Sequence, residues 1–159
     1  AITTFKGAAK RLELVASSES SLLYKDFAHA PSKVNATTQA VKKQFPKRKL
    51  VACLELHTFS SLNPAFLPEY EDTLNLADEA IVYLSEHARE IKRMDRIEES
   101  IVQTYFKHPN LKVIRDAETL KQTLLSQTWA NANLLMMSSG TFDGLDLSGL
   151  GQEMGLLSV

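Results

Sequence analysis

Two periodicities alternate along this chain, and that alternation restricts its fold more than any other feature. Short apolar runs occur at Leu12–Val15, Leu22–Tyr24, Leu50–Leu54, Ala80–Leu84, Leu111–Ile114 and Leu134–Met137, and several are continuous. A run without polar alternation suits a strand covered on both faces. Between the runs, apolar residues recur at helical spacing: Val34, Val41 and Phe45 after Pro31; Phe66, Tyr70, Leu74 and Ala77 after Pro64; Ile91, Met94, Ile97, Ile101 and Tyr105; and Leu120 and Leu124 after the cap candidate Asp116. Each set lies on one face of a helix. The order predicts an α/β domain with a mostly parallel sheet between two helical layers. The first two runs, separated by Ala16–Ser20, read as a hairpin at the sheet edge. The glycine-rich tail from Gly149 to Gly155 is expected to fray.

With 159 residues the chain fits one domain, residues 1–159, large enough to bury about two-thirds of its unfolded surface. A net charge of -1 argues against a nucleic-acid partner and against an acidic disordered tail. The single cysteine, Cys53, lies within the run Leu50–Leu54, where it is expected to be a small buried hydrophobe in a reducing, cytoplasmic setting. No apolar stretch reaches the roughly 18 residues that span a bilayer, so no membrane partner is expected. The chain opens Ala1-Ile2-Thr3 without Met, which suits a processed protein or an excised domain.

In an open parallel sheet, ligands bind beyond the carboxyl ends of the strands. Polar residues follow each run: Asp26 and His29; Glu55, His57, Thr58 and Ser60; Ser85, Glu86 and His87; Ser138, Ser139 and Thr141. Helix capping calls for the same residue types, so pattern alone leaves both roles open. No H-x-x-x-H or C-x-x-C pair occurs, and no metal site is expected within the chain. A phosphate loop is missing too: Gly144 and Gly149 have its outer spacing, but Leu150 stands where the lysine belongs. The basic cluster Lys42, Lys43, Lys47, Arg48 and Lys49 could attract phosphate, and it equally suits the last turn of a surface helix.

Five segments, taken in order, carry a family resemblance. They are Lys10-Arg11-Leu12-Glu13-Leu14; Tyr24-Lys25-Asp26-Phe27-Ala28-His29-Ala30-Pro31; Leu54-Glu55-Leu56-His57-Thr58-Phe59-Ser60-Ser61; Ala77-Asp78-Glu79-Ala80-Ile81-Val82-Tyr83; and Met136-Met137-Ser138-Ser139-Gly140-Thr141-Phe142-Asp143-Gly144. Together they resemble the C-terminal domain of the Mur ligases, closest to the murein peptide ligase branch and next to the UDP-N-acetylmuramate–L-alanine ligase branch. The resemblance implies a Rossmann-like three-layer sandwich. It also implies an ATP-dependent amide ligase of peptidoglycan synthesis or recycling, which joins an amino acid or peptide to UDP-N-acetylmuramate through an acyl phosphate. ATP and Mg2+ would be held mostly by a central ATPase domain that, like the UDP-sugar domain, lies outside this chain, and those two domains would be its partners.

Carried over by position, the resemblance puts Arg11, Asp26 and His29 on the ATP side and His57, Thr58, Ser60, Ser139 and Thr141 on the amine-substrate side. It places no catalytic residue in this domain alone and implies no ligase activity for residues 1–159. Lys25, Ala30 and Ser61 depart from the family pattern, which has an aspartate, a histidine and often an arginine at those positions. A stand-alone binding module of the same fold is therefore an alternative.

Overall fold

The computed structural model describes residues 12–159. A seven-stranded sheet runs through it, from β5 (Leu111–Ile114) at one edge through β4 (Glu79–Leu84), β3 (Lys49–Leu56), β6 (Ala132–Met137), β2 (Leu22–Asp26) and β1 (Glu13–Ser17) to β7 (Leu157–Ser158) at the other. Strands β2, β6, β3, β4 and β5 pair in parallel. Strand β1 forms the expected hairpin with β2, and β7 pairs antiparallel with β1. The six expected strands are present; the hairpin, however, is not the edge, because β7 lies outside it.

Alternation along the strands divides the core between two faces. Leu50, Ala52, Leu54 and Leu56 join one cluster with Val34 and Val41 of α1 (Pro31–Gln44) and Val102 and Phe106 of α3 (Glu99–Phe106). Val51 and Cys53 join a second cluster with Leu120 and Leu124 of α4 (Ala117–Leu125) and Leu150 of α5 (Leu147–Glu153). The result is the expected three-layer sandwich. Pro31 opens α1, where its missing N–H is not needed, and the Asp116 carboxylate accepts from Thr119 N at 2.8 Å to cap α4.

Three expectations need correction. The tail does not fray: Asp146 caps α5 by accepting from Gly149 N at 3.1 Å, and the chain continues into β7. Gly151 is buried, and a Cβ there would meet Ala16 Cβ at 2.7 Å, so this glycine lets α5 approach β1. The pattern Phe66–Ala77 is realised as a short 3-10 helix, Leu67–Tyr70, and turns, because Pro68 has no N–H to continue an α-helix. The stripe from Ile91 to Tyr105 is broken into α2 (Glu86–Lys92) and α3 by left-handed Arg93, leaving Ile91 65% exposed while Ile97, Val102 and Phe106 are buried. Among the basic cluster, Lys42 binds the Asp78 carboxylate at 2.8 Å and Arg48 reaches Asn133 at 3.2 Å, so both serve the fold.

Candidate functional site

Register places the carboxyl ends of the parallel strands along one edge: Asp26 lies opposite Met137, Met137 opposite Leu54, and Leu56 opposite Leu84. At the centre of that edge the two connections diverge. The segment after β3 sends Leu62, Leu67 and Tyr70 into the first core cluster, whereas the segment after β6 sends Phe142 and Leu150 into the second. In open α/β sheets, ligands usually bind at neighbouring strand tips whose connections diverge in this way. His57 follows β3 and Ser139 follows β6, and His57 Nε2 and Ser139 Oγ lie 2.7 Å apart across this divide. Both are partly exposed. Gly140 lies directly under the ring, because a Cβ there would meet Nε2 at 2.9 Å.

The β6–α5 loop is fixed by groups to which the resemblance gave no role, although the sequence pattern had put Glu55, Ser85 and Ser138 on the rim. Glu55, 3% exposed, accepts at Oε1 from Ser138 Oγ at 2.6 Å and from Phe142 N at 2.8 Å. Asp143 accepts from Tyr83 Oη at 2.5 Å and from Ser85 Oγ at 2.8 Å, and Ser85 in turn caps α2 by accepting from Ala88 N at 2.9 Å. Burial and then the Asp143 bond raise the Tyr83 pKa, so its hydroxyl stays protonated and donating. Phe142, Asp143 and Gly144 all have positive φ, at 54°, 56° and 84°. For the two non-glycine residues this conformation costs on the order of 1 kcal/mol or more each, which the surrounding bonds must offset. The available signal for Glu55 was an acidic residue directly after the continuous apolar run Leu50–Leu54, within a strand buried on both faces.

Among the described residues, the other expected site residues lie at or after the carboxyl ends of β2, β3 and β6 and differ in how firmly they are held. Asp26 is 7% exposed, and its Oδ2 accepts from Ala28 N at 3.0 Å and Thr37 Oγ1 at 3.1 Å, so the carboxylate ties β2 to α1. His29 is partly exposed, with Nδ1 3.2 Å from Phe27 O, and its own carbonyl accepts from Tyr70 Oη at 2.6 Å. Burial pushes the Tyr70 hydroxyl up to about 12, which keeps that donor in place across the physiological range. Thr58 Oγ1 accepts from Ser61 N at 3.1 Å, and Ser61 Oγ accepts from Thr58 N at 3.0 Å, closing a reciprocal turn that leaves Ser60 exposed. Thr141 is exposed and accepts from Gly144 N at 3.1 Å. Arg11 lies outside the described residues. Of the departures, Lys25 pairs with Glu13 at 3.2 Å on the outer surface, Ala30 precedes α1, and Ser61 closes the turn.

Two absences hold for the described residues. No group of three or more His, Cys, Asp or Glu is placed to hold a metal ion, and no helix is long and apolar enough to cross a membrane. Cys53 is buried, and burial first, then Glu55, raises its thiol well above the ordinary range, which leaves it an unreactive packing residue.

Comparison with known proteins agrees with this architecture. Residues 10–140 match the family described as Mur ligase, glutamate ligase domain. A stretch of 82 residues, 52% of this chain, is 40% identical to the UDP-N-acetylmuramate–L-alanine ligase of Caldicellulosiruptor bescii, of which it spans only 18%. A domain assigned to a UDP-N-acetylmuramate:L-alanyl-gamma-D-glutamyl-diaminopimelate ligase from Haemophilus ducreyi superposes with a TM-score of 0.64 at 23% identity, covering 91% of this chain and 96% of that one. A murein peptide ligase from Psychrobacter arcticus superposes with a TM-score of 0.72 at 20% identity, covering 98% of this chain and 32% of its own length.

Proposed function

Because the chain belongs to the Mur ligase family through its glutamate ligase domain, we propose that it is the C-terminal domain of an ATP-dependent amide ligase of peptidoglycan synthesis or recycling. The domain closes over an ATPase domain elsewhere in a longer protein, which holds Mg2+ and most of the ATP. It presents the incoming amine to an acyl phosphate formed on UDP-N-acetylmuramate. The observation that carries this reading is the His57–Ser139 contact across the divide between β3 and β6. It brings two residues of the proposed amine side together at the strand tips where the connections after β3 and β6 part. His29 faces the nucleotide, a role the family resemblance also gives Arg11; Asp26 acts there through the turn it holds rather than as a free carboxylate.

Such a domain contributes orientation and exclusion of water. Holding an amine against an acyl phosphate is a matter of placement, and closure protects the intermediate from hydrolysis. Among the described residues no group of three or more His, Cys, Asp or Glu could hold the Mg2+ itself. The domain is cytoplasmic, where nucleotide-linked precursors and ATP occur together. The tripeptide that a murein peptide ligase reattaches is the favoured amine, with free L-alanine the alternative. The test is amine-dependent ADP release. A longer polypeptide carrying this domain behind a P-loop domain releases ADP only when UDP-N-acetylmuramate and the amine are both present, and residues 1–159 alone release none. Ligation by the isolated domain refutes the proposal, and a complete protein that ignores every amine offered leaves the binding-module alternative standing.

A further inference from the structure

The geometry points to Glu55 as the positioning residue of the β6–α5 loop, an inference that rests on the ligase reading of the strand-tip edge. Glu55 follows Val51 and Cys53 on the strand face that builds the second core cluster, and it is 3% exposed. None of the ion pairs among the described residues includes it. A carboxylate in such a place needs donors, because burial penalises its charge. It finds both in one loop: Ser138 Oγ at 2.6 Å and Phe142 N at 2.8 Å, sharing Oε1. Ser139, Gly140 and Thr141 lie between those two anchor points, so one buried oxygen fixes the segment that offers Ser139 and Thr141 to ligand. The loop's own backbone would not hold this shape, since left-handed Phe142 and Asp143 follow immediately. Glu55 touches no ligand; it acts through the residues it holds.

Three variants test this: Glu55→Gln keeps an acceptor at Oε1, Glu55→Leu keeps volume without an acceptor, and Ser138→Ala removes one donor. In the 159-residue chain, hydrogen exchange at the Phe142 amide is expected to quicken at least about tenfold in Glu55→Leu and less than about threefold in Glu55→Gln. In the complete ligase, the amine KM is expected to rise at least about tenfold in Glu55→Leu, with recovery in Glu55→Gln and the ATP KM within about twofold of the parent. Unchanged Phe142 exchange in Glu55→Leu overturns the inference. So does faster exchange with an unchanged amine KM, which would make Glu55 a residue of the fold only. Should Glu55→Leu fail to fold, Ser138→Ala decides, with exchange at Phe142 expected to quicken about threefold to tenfold and with no change counting against the inference. A parent ligase that turns over no amine refutes the ligase reading separately, and the exchange result then still decides whether Glu55 anchors the loop.

Discussion

Replacing Gly140 by alanine adds one methyl group where the His57 ring already lies. The new Cβ would meet Nε2 at 2.9 Å and both Cδ2 and Cε1 at 3.1 Å, so the ring must tilt or turn away. Gly140 is not among the positive-φ glycines, and alanine is therefore unstrained by backbone conformation. Its lower unfolded-state entropy should stabilise by about 0.4–1 kcal/mol. Against this stand the loss of the 2.7 Å His57–Ser139 bond, worth about 0.5–1.5 kcal/mol, and an off-rotamer imidazole, costing about 0.5–1.5 kcal/mol. The expected net is a destabilisation of about 1 kcal/mol, or a fall in Tm of about 2–4 °C for a domain of this size. Thermal unfolding measures the fall, and the imidazole nitrogen resonances of His57 report the broken bond. In a Ser139→Ala background the bond is already gone, so the Gly140→Ala penalty should shrink by the bond's share. A Tm that rises in Gly140→Ala while the His57 resonances stay in place would refute the reasoning.

Gly151→Ala should be worse, because its Cβ would meet Ala16 Cβ at 2.7 Å within the core, and overpacking of this kind costs about 1–3 kcal/mol; a parent-like urea midpoint would show that α5 does not pack on β1 as described. Burial opposes ionisation of Asp78, but the Lys42 and Leu50 N–H bonds more than compensate and hold its pKa below the usual carboxylate value. Glu86 is lowered too, with burial again opposing and Arg89, Arg115 and Arg96 prevailing. A depressed folded-state pKa gives stability that is complete above the unfolded value and lost as pH falls through the folded one, so the urea midpoint should decline below about pH 5. Asp78→Asn should flatten that decline, and an equally steep acid limb in the variant would exclude Asp78 as a contributor.

Most of the frame was legible because two-sided burial leaves continuous apolar runs such as Leu50–Leu54, and no surface strand would tolerate one. The tail was not, because Gly149, Gly151 and Gly155 look alike in sequence whether they loosen a chain or admit a close approach; only the position of Ala16 decides for Gly151. Phe66–Ala77 kept helical spacing without an α-helix, since apolar periodicity survives in a chain of turns that buries Leu67, Tyr70 and Leu74. At the site, order along the chain located the strand-tip residues His57, Ser139 and Thr141. It could not show that Asp26 turns inward to Thr37, or that Glu55 holds the loop, because both depend on which face a side chain takes at a strand's end.

The proposed function divides the strand-tip edge into an amine side at His57 and a nucleotide side at His29. Histidine modification by diethyl pyrocarbonate, followed residue by residue in the complete ligase, reads both at once, with exposed His87 as the internal control. Amine substrate should slow modification of His57 and leave His87 unchanged, while nucleotide alone should slow His29. Equal modification of His57 with and without saturating amine would contradict the account.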